Sequence, residues 1–312
     1  MTAVADPPAA PARESVWRAG RPVDVLRTLG PLVRGGGDLA HRTTPDGSFW
    51  RVAFTPQGAA TLALRVPAYG EVHAAAWGPG ADWAVAGVPD LLGARDDPAS
   101  FVPRHPLLYE TARRYPGLRI PRTGLVLDSL VPAVLEQKVT GMQARQAWRF
   151  LLRRYGTPAP GPAPAGMRVP PPPGVLLTVP TWDWHKAGVD LQRQRAIRAA
   201  ATVATRLEEC ATMPPADALA RLRTVPGIGD WTAAEVAQRA LGDADAVSVG
   251  DFHIPGLVGW ALLGRRLDDD GMLELLADYR PHRHRVVRLV ELSGAGKPRF
   301  APRFSPIDYR RF

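Results

Sequence analysis

The stretch Leu222-Arg223-Thr224-Val225-Pro226-Gly227-Ile228-Gly229-Asp230-Trp231-Thr232-Ala233-Ala234 decides the fold. It reads as helix, tight turn, helix. Pro226 cannot continue the first helix, because it lacks an N–H and its ring clashes with the preceding turn. Gly227 and Gly229 are expected to permit positive φ and close backbone approach. Ile228 between them would pin the hairpin to a core. Thr232, Ala233 and Ala234 are small enough for the second helix to pack closely. The hairpin backbone then faces outward at a helix N-terminus, where free N–H groups and the helix dipole suit a phosphate. An ordinary interhelical turn is the alternative reading of a Pro-Gly-x-Gly string taken alone.

Downstream, Ala246-Val247-Ser248-Val249-Gly250-Asp251-Phe252-His253-Ile254-Pro255 is a short apolar run that ends in Gly-Asp and opens a helix. Asp251 stands 22 residues beyond Gly229. An isolated Asp in this position serves as a helix N-cap.

Hairpin, helix, short connection and aspartate together resemble the helix-hairpin-helix DNA glycosylase superfamily, and within it the 3-methyladenine DNA glycosylase II type. Leu135-Glu136-Gln137-Lys138-Val139 is similar to the family's minor-groove wedge segment, and Tyr279-Arg280-Pro281-His282-Arg283 to its segment near the C-terminus. The resemblance runs from about Val23 to Leu292 and is strongest from Leu130 onward. It implies a mainly α fold, two helical lobes around a cleft, with a small antiparallel sheet domain in front.

The resemblance implies the following roles. Asp251 is the catalytic carboxylate, which stabilises an oxocarbenium-like sugar and helps water attack C1′. Trp231 and His282 line the base pocket, and Gln137 and Lys138 form the wedge that fills the gap left by an extruded nucleotide. Val225, Gly227, Ile228, Gly229 and Thr232 contact the DNA backbone. Trp231 occupies the position where relatives that also cleave the backbone carry a nucleophilic Lys. An indole forms no Schiff base, so a monofunctional enzyme is expected. An aromatic wall suits an electron-poor alkylated purine. Two positions depart from the family pattern: Lys138, where relatives often have an apolar residue or Gln, and His282, where a pocket aromatic such as Trp is expected. Two other readings share the fold: a lesion-binding relative without excision activity, and an oxidised-purine glycosylase with lyase activity, which would lack its lysine. A sequence-independent DNA-binding module is a third, disfavoured by the discrete N-terminal domain.

Composition agrees with a soluble DNA-binding protein. The 312 residues are 46% hydrophobic and 22% charged, with a formal net charge of +9. A basic balance favours a polyanionic partner, and double-stranded DNA is the expected one. Lys occurs only at 138, 186 and 297. From Tyr279 to Phe312 nine basic residues face Glu291 and Asp308, a basic stripe that fits phosphate contacts or a solvated tail. Arg145 and Arg149, spaced i,i+4 on one helical face, are phosphate or solvent residues on the same reasoning. The single cysteine, Cys210, excludes an intrachain disulfide, a four-cysteine iron–sulfur cluster and a cysteine-based zinc finger. No metal and no cofactor are expected, apart from a monovalent or divalent cation that the family resemblance allows at the hairpin carbonyls when DNA is bound. No apolar run of membrane-spanning or signal-peptide type is present. A monomeric, cytoplasmic, nucleoid-associated protein is expected.

Four segments follow from the pattern along the chain: a disordered tail (1–14), an N-terminal α+β domain (15–107), the glycosylase domain (108–300) and a basic C-terminal tail (301–312). Residues 49–54 and 60–66 read as strands. Asp24 caps a short helix. Asp128 or Ser129 caps a helix in which Pro132 sits in the first turn. The Pro/Gly-rich segment 157–174 reads as an extended, mobile linker. Residues 191–209 read as one helix, and Trp148, Trp182, Trp184 and Trp260 as core.

Overall fold

The computed structural model describes residues 13–296. The expected tails fall largely outside that range, but Arg13 and Glu14 already belong to the first strand. β1 (Arg13–Arg18), β2 (His41–Thr43), β3 (Phe49–Thr55), β4 (Gly58–Ala68) and β5 (Glu71–Trp77) form an antiparallel sheet in the order β1-β5-β4-β3-β2. Alternation assigns the two faces. Phe49, Leu62, Leu64, Ala74 and Ala76 pack against α1 (Val25–Leu29), α2 (Ala81–Ala86) and α3 (Val88–Leu91). On the other face, Val52, Trp50 and Ala59 join the core of the helical lobe. Both faces are therefore covered, and Trp50 stacks on Trp77 with centroids 5.6 Å apart.

Two helical clusters follow. The larger gathers α5 (Val126–Leu135), α6 (Gly141–Tyr155), α7 (Pro173–Thr178), α8 (Thr181–Lys186), α9 (Leu191–Thr202), α10 (Ala204–Glu208), α11 (Pro215–Arg223) and α12 (Asp230–Val236). The second joins α4 (Pro106–Arg114) to α13 (Ile254–Leu263), α14 (Asp269–Leu276) and α15 (Arg283–Ser293). The mainly α architecture with a small antiparallel sheet is thus as read from the sequence. No helix among the described residues is long and apolar enough to cross a membrane.

Several local expectations are corrected. α5 begins at Val126, before Asp128, so Pro132 lies inside the helix rather than in its first turn. Its N-terminus is capped from a distance: the Glu208 carboxylate accepts the N–H groups of Val126 (2.8 Å) and Leu127 (2.9 Å). Asp128 instead receives Arg51 at 2.9 Å, and Ser129 is buried. The segment 157–174 is a packed strap. β6 (Thr157–Pro158) pairs with β7 (Arg168–Val169), Met167 and Val169 are buried, and Arg168 N–H donates to Leu39 O. Its apolar residues found a surface to cover, which composition did not reveal. The helix expected over 191–209 breaks at Val203. Trp148 and Trp184 are core as expected, whereas Trp182 is 66% exposed, because it sits on the outer side of the short α8.

Candidate active site and nucleic-acid interface

The hairpin forms between α11 and α12. Val225 and Ile228 are buried, and Ile228 N–H donates to Val225 O at 3.0 Å, which closes the turn. Their side chains face the core, and the Val225 N–H donates to Leu222 O at 3.2 Å, so neither residue offers a ligand a side chain or a free N–H. Gly227 has φ +87°, and a Cβ there would lie 2.8 Å from the Cβ of Ala196. Its glycine is required by both backbone and packing. Gly229 is different from the expectation. It is extended at φ −98°, ψ −172°, and the space a Cβ would enter is open. Thr232 is buried and its hydroxyl accepts the Gln137 side-chain amide at 2.8 Å, so this side chain serves the fold rather than facing outward.

Gln137 also donates to Gly227 O at 3.0 Å. Its amide is therefore a strut between the wedge segment and the hairpin, not a free inserting group. Lys138, next to it, is exposed at φ +55° and is the one non-glycine residue with positive φ among the described residues. That conformation costs an L-residue about 1–2 kcal/mol and turns the chain sharply between α5 and α6. α6 then starts on a capping box of Thr140 and Gln143.

Asp251 takes the capping role expected of it and also reaches the helix that follows the hairpin. Oδ1 accepts the N–H groups of His253 (2.7 Å) and Ile254 (2.9 Å), capping α13. Oδ2 accepts the indole N–H of Trp231 at 3.0 Å. Both residues are half-buried. The first turn after the hairpin and the head of α13 therefore meet at one carboxylate.

Residues that sequence reasoning passed over hold this meeting in place. Glu235, one helical turn after Trp231, accepts the Ser248 hydroxyl at 2.6 Å and pairs with Arg239 at 2.8 Å. Gln238 donates to Ser248 Oγ and Ala246 O, each at 2.9 Å. Asp269 accepts the N–H of Gly250 at 2.9 Å. The i,i+4 spacing of Trp231 and Glu235 was visible in the sequence, but Ser248 as the partner was not.

His282 departs from its expected role. It is 5% exposed and sits edge-on to Phe101, with centroids 5.6 Å apart. Nε2 lies 2.9 Å from Ser100 Oγ, and Nδ1 accepts Arg285 Nε at 3.3 Å. Burial first, then the Arg285 charge, pushes its protonation below the ordinary histidine range. With both nitrogens engaged and the ring buried, its surroundings are those of a packing residue. The exposed aromatic beside the carboxylate is Phe252, at 70% exposure.

The basic C-terminal stripe is in part consumed internally. Arg283 pairs bidentately with Asp245 (2.9 and 2.7 Å), Arg285 with buried Asp96, and Arg288 with Glu291. Residues 297–312 of the stripe lie outside the described range. No group of three His, Cys, Asp or Glu side chains stands close enough to hold a metal ion among the described residues, so a cation at the hairpin would need peptide carbonyls.

No family model matches the chain. It is 31% identical over 171 residues to the probable bifunctional transcriptional activator/DNA repair enzyme AlkA of Mycobacterium tuberculosis. That match covers 53% of this chain and 34% of the relative, so the likeness spans about a third of the curated relatives' length. Among solved structures, a 3-methyladenine DNA-glycosylase from Archaeoglobus fulgidus superposes with a TM-score of 0.73 at 15% identity, over 89% of this chain and 98% of the other. MBOgg1 in complex with a low-affinity DNA ligand gives 0.70 at 17% identity over 92% and 97%. The Clostridium acetobutylicum 8-oxoguanine glycosylase/lyase gives 0.68 at 11% identity over 90% and 96%. With these overlaps, the hairpin at Gly227 and the carboxylate it meets at Asp251, the chain has the fold of the helix-hairpin-helix DNA glycosylases.

Proposed function

We propose that this protein is a monofunctional DNA glycosylase that removes a damaged purine, in the alkylated class, from double-stranded DNA. The observation that carries the reading is the hydrogen bond from Trp231 to Asp251, which sets an aromatic face beside a carboxylate at the end of the hairpin. The hairpin N–H groups would take a phosphate of the damaged strand, and Lys138 would occupy the space left by the extruded nucleotide. Trp231 would stack on the base. As the N-glycosidic bond breaks, its electron pair leaves with the base and positive charge grows on the sugar. Asp251 Oδ2 would stabilise that charge and guide water to C1′. The products are the free base and an abasic site with an intact backbone. No cofactor enters this balance, although a hairpin cation bridging to phosphate is compatible with it.

The oxidised-purine glycosylase/lyase reading requires an amine nucleophile, and Trp231 stands where the family resemblance would place it. The deciding experiment incubates the wild type and Asp251→Asn with duplexes carrying one alkylated or one oxidised purine, with and without borohydride. Release of the alkylated base by the wild type, loss of release with retained binding in the variant, and no trapped adduct are expected. Efficient borohydride trapping would remove the monofunctional reading. Undiminished release by Asp251→Asn would remove Asp251 from the chemistry.

A further inference from the structure

Several described arginines are spent on internal ion pairs, as at Arg34–Glu136, Arg239–Glu235, Arg283–Asp245 and Arg285–Asp96. Arg145 and Arg149 make no ion pair among the described residues. They lie one turn apart on α6, just after the wedge, and their side chains rest on the N-terminal domain's loop Arg34-Gly35-Gly36-Gly37-Asp38. The loop is glycine where they rest. A Cβ at Gly35 would lie 2.5 Å from Arg145 Cδ, and one at Gly37 would lie 2.5 Å from Arg149 Nη1. The Arg145 guanidinium also reaches back to the first turn of α6, within 3.5 Å of where a Cβ at Gly141 would stand.

Asp38 shapes this seat without neutralising it. It is buried, and accepts Arg34 N–H (2.8 Å), Ala40 N–H (2.9 Å) and the Trp148 indole (3.2 Å) while pairing with His41. Glu136 is paired with Arg34. Lys138, Arg145 and Arg149 are then left as an uncompensated positive strip. Gln137, next to Lys138, joins the wedge segment to Gly227 and Thr232 of the hairpin.

We propose that Arg145 and Arg149, seated on the Gly35–Gly37 loop, form a second phosphate-binding surface for duplex DNA, in addition to the hairpin. The inference rests on the DNA-binding reading above and assigns the N-terminal domain a part in it. Guanidinium groups on bare glycine backbone meet phosphate oxygens with no internal carboxylate to displace. Contacts of this kind position a duplex without reading its sequence.

The test is the salt dependence of duplex binding, followed by fluorescence anisotropy on one undamaged duplex and one with an abasic analogue. Each phosphate contact contributes about 0.9 to the slope of log K against log salt, so Arg145→Ala/Arg149→Ala should make the slope shallower by roughly 2 for both duplexes alike. Arg145→Lys/Arg149→Lys should keep most of it. Gly36→Asp provides an independent arm. Nothing stands within 4 Å of a Cβ there, so a negative charge enters beside the arginines without a clash and should also flatten the slope. Unchanged slopes in the double-alanine and Gly36→Asp variants, with Gly229→Asp still weakening binding, would overturn this surface and leave the hairpin reading intact. A wild type that binds neither duplex would overturn both.

Discussion

The two hairpin glycines separate what the fold needs from what a ligand needs. Gly227→Ala places an L-residue at φ +87° and a methyl group 2.8 Å from Ala196. Left-handed backbone costs an L-residue about 1–2 kcal/mol, and forcing a methyl into a packed contact adds about 1–3 kcal/mol. At roughly 2–4 °C per kcal/mol for a chain of this size, a loss of about 3 kcal/mol lowers the melting temperature by about 6–12 °C. Gly229→Ala meets neither obstacle, because its φ is −98° and its Cβ would enter open space. Its stability should stay within about 0.5 kcal/mol of the wild type. The same open space is where a phosphate would approach the hairpin N–H groups, so Gly229→Ala should weaken binding to all duplexes alike. Thermal denaturation by circular dichroism and anisotropy titration at fixed salt read the two effects separately. The reasoning fails if Gly227→Ala melts with the wild type, or if Gly229→Ala melts as low as Gly227→Ala. Wild-type affinity in a folded Gly229→Ala would show that phosphate does not approach there.

Trp231→Ala should reduce base release roughly ten- to hundredfold in a folded protein, since stacking on one aromatic is worth about 1–3 kcal/mol; single-turnover kinetics on an alkylated duplex measure it. Ser248→Ala removes the hydroxyl held by Glu235 at 2.6 Å. A hydrogen bond to a charged group contributes about 2 kcal/mol, so a fall in melting temperature of roughly 4–8 °C is expected, with slower base release and an unchanged affinity for undamaged duplex. Asp38 bears on acid stability. Burial opposes its charge, but His41 and the N–H groups of Arg34 and Ala40 outweigh it and lower its pKa from 3.8 to about 2. A carboxylate lowered in this way stabilises the fold fully above the unfolded value and loses that effect as pH falls through 3.8 towards 2. The total is about 2 kcal/mol. Denaturant titrations between pH 2 and 5 should show a shallower acid slope in Asp38→Asn than in the wild type, and equal slopes would contradict the assignment.

The sequence by itself determined the parts of this protein that rest on local rules. Pro226, Gly227 and the small residues after Trp231 specify a hairpin between helices, because proline cannot continue a helix and glycine admits positive φ. Short apolar runs over 49–54 and 60–66, set off by turn residues, specified two of the five strands of the larger sheet. Asp251 was legible as a helix cap, and the resemblance of hairpin, helix and aspartate to the glycosylase superfamily implied its role as the candidate carboxylate. Tertiary structure decided the rest, because the determining partners are far apart in the chain. Glu208 caps α5 from more than eighty residues away. Gln137 is consumed by the hairpin, and His282 is buried against Ser100 and Phe101. A buried polar side chain takes whichever partner the packing brings to it, since leaving it unpaired costs about 1–3 kcal/mol. A residue's type and neighbours in sequence show that it needs a partner; which partner it finds, and whether it still faces a ligand afterwards, is a property of the folded chain alone.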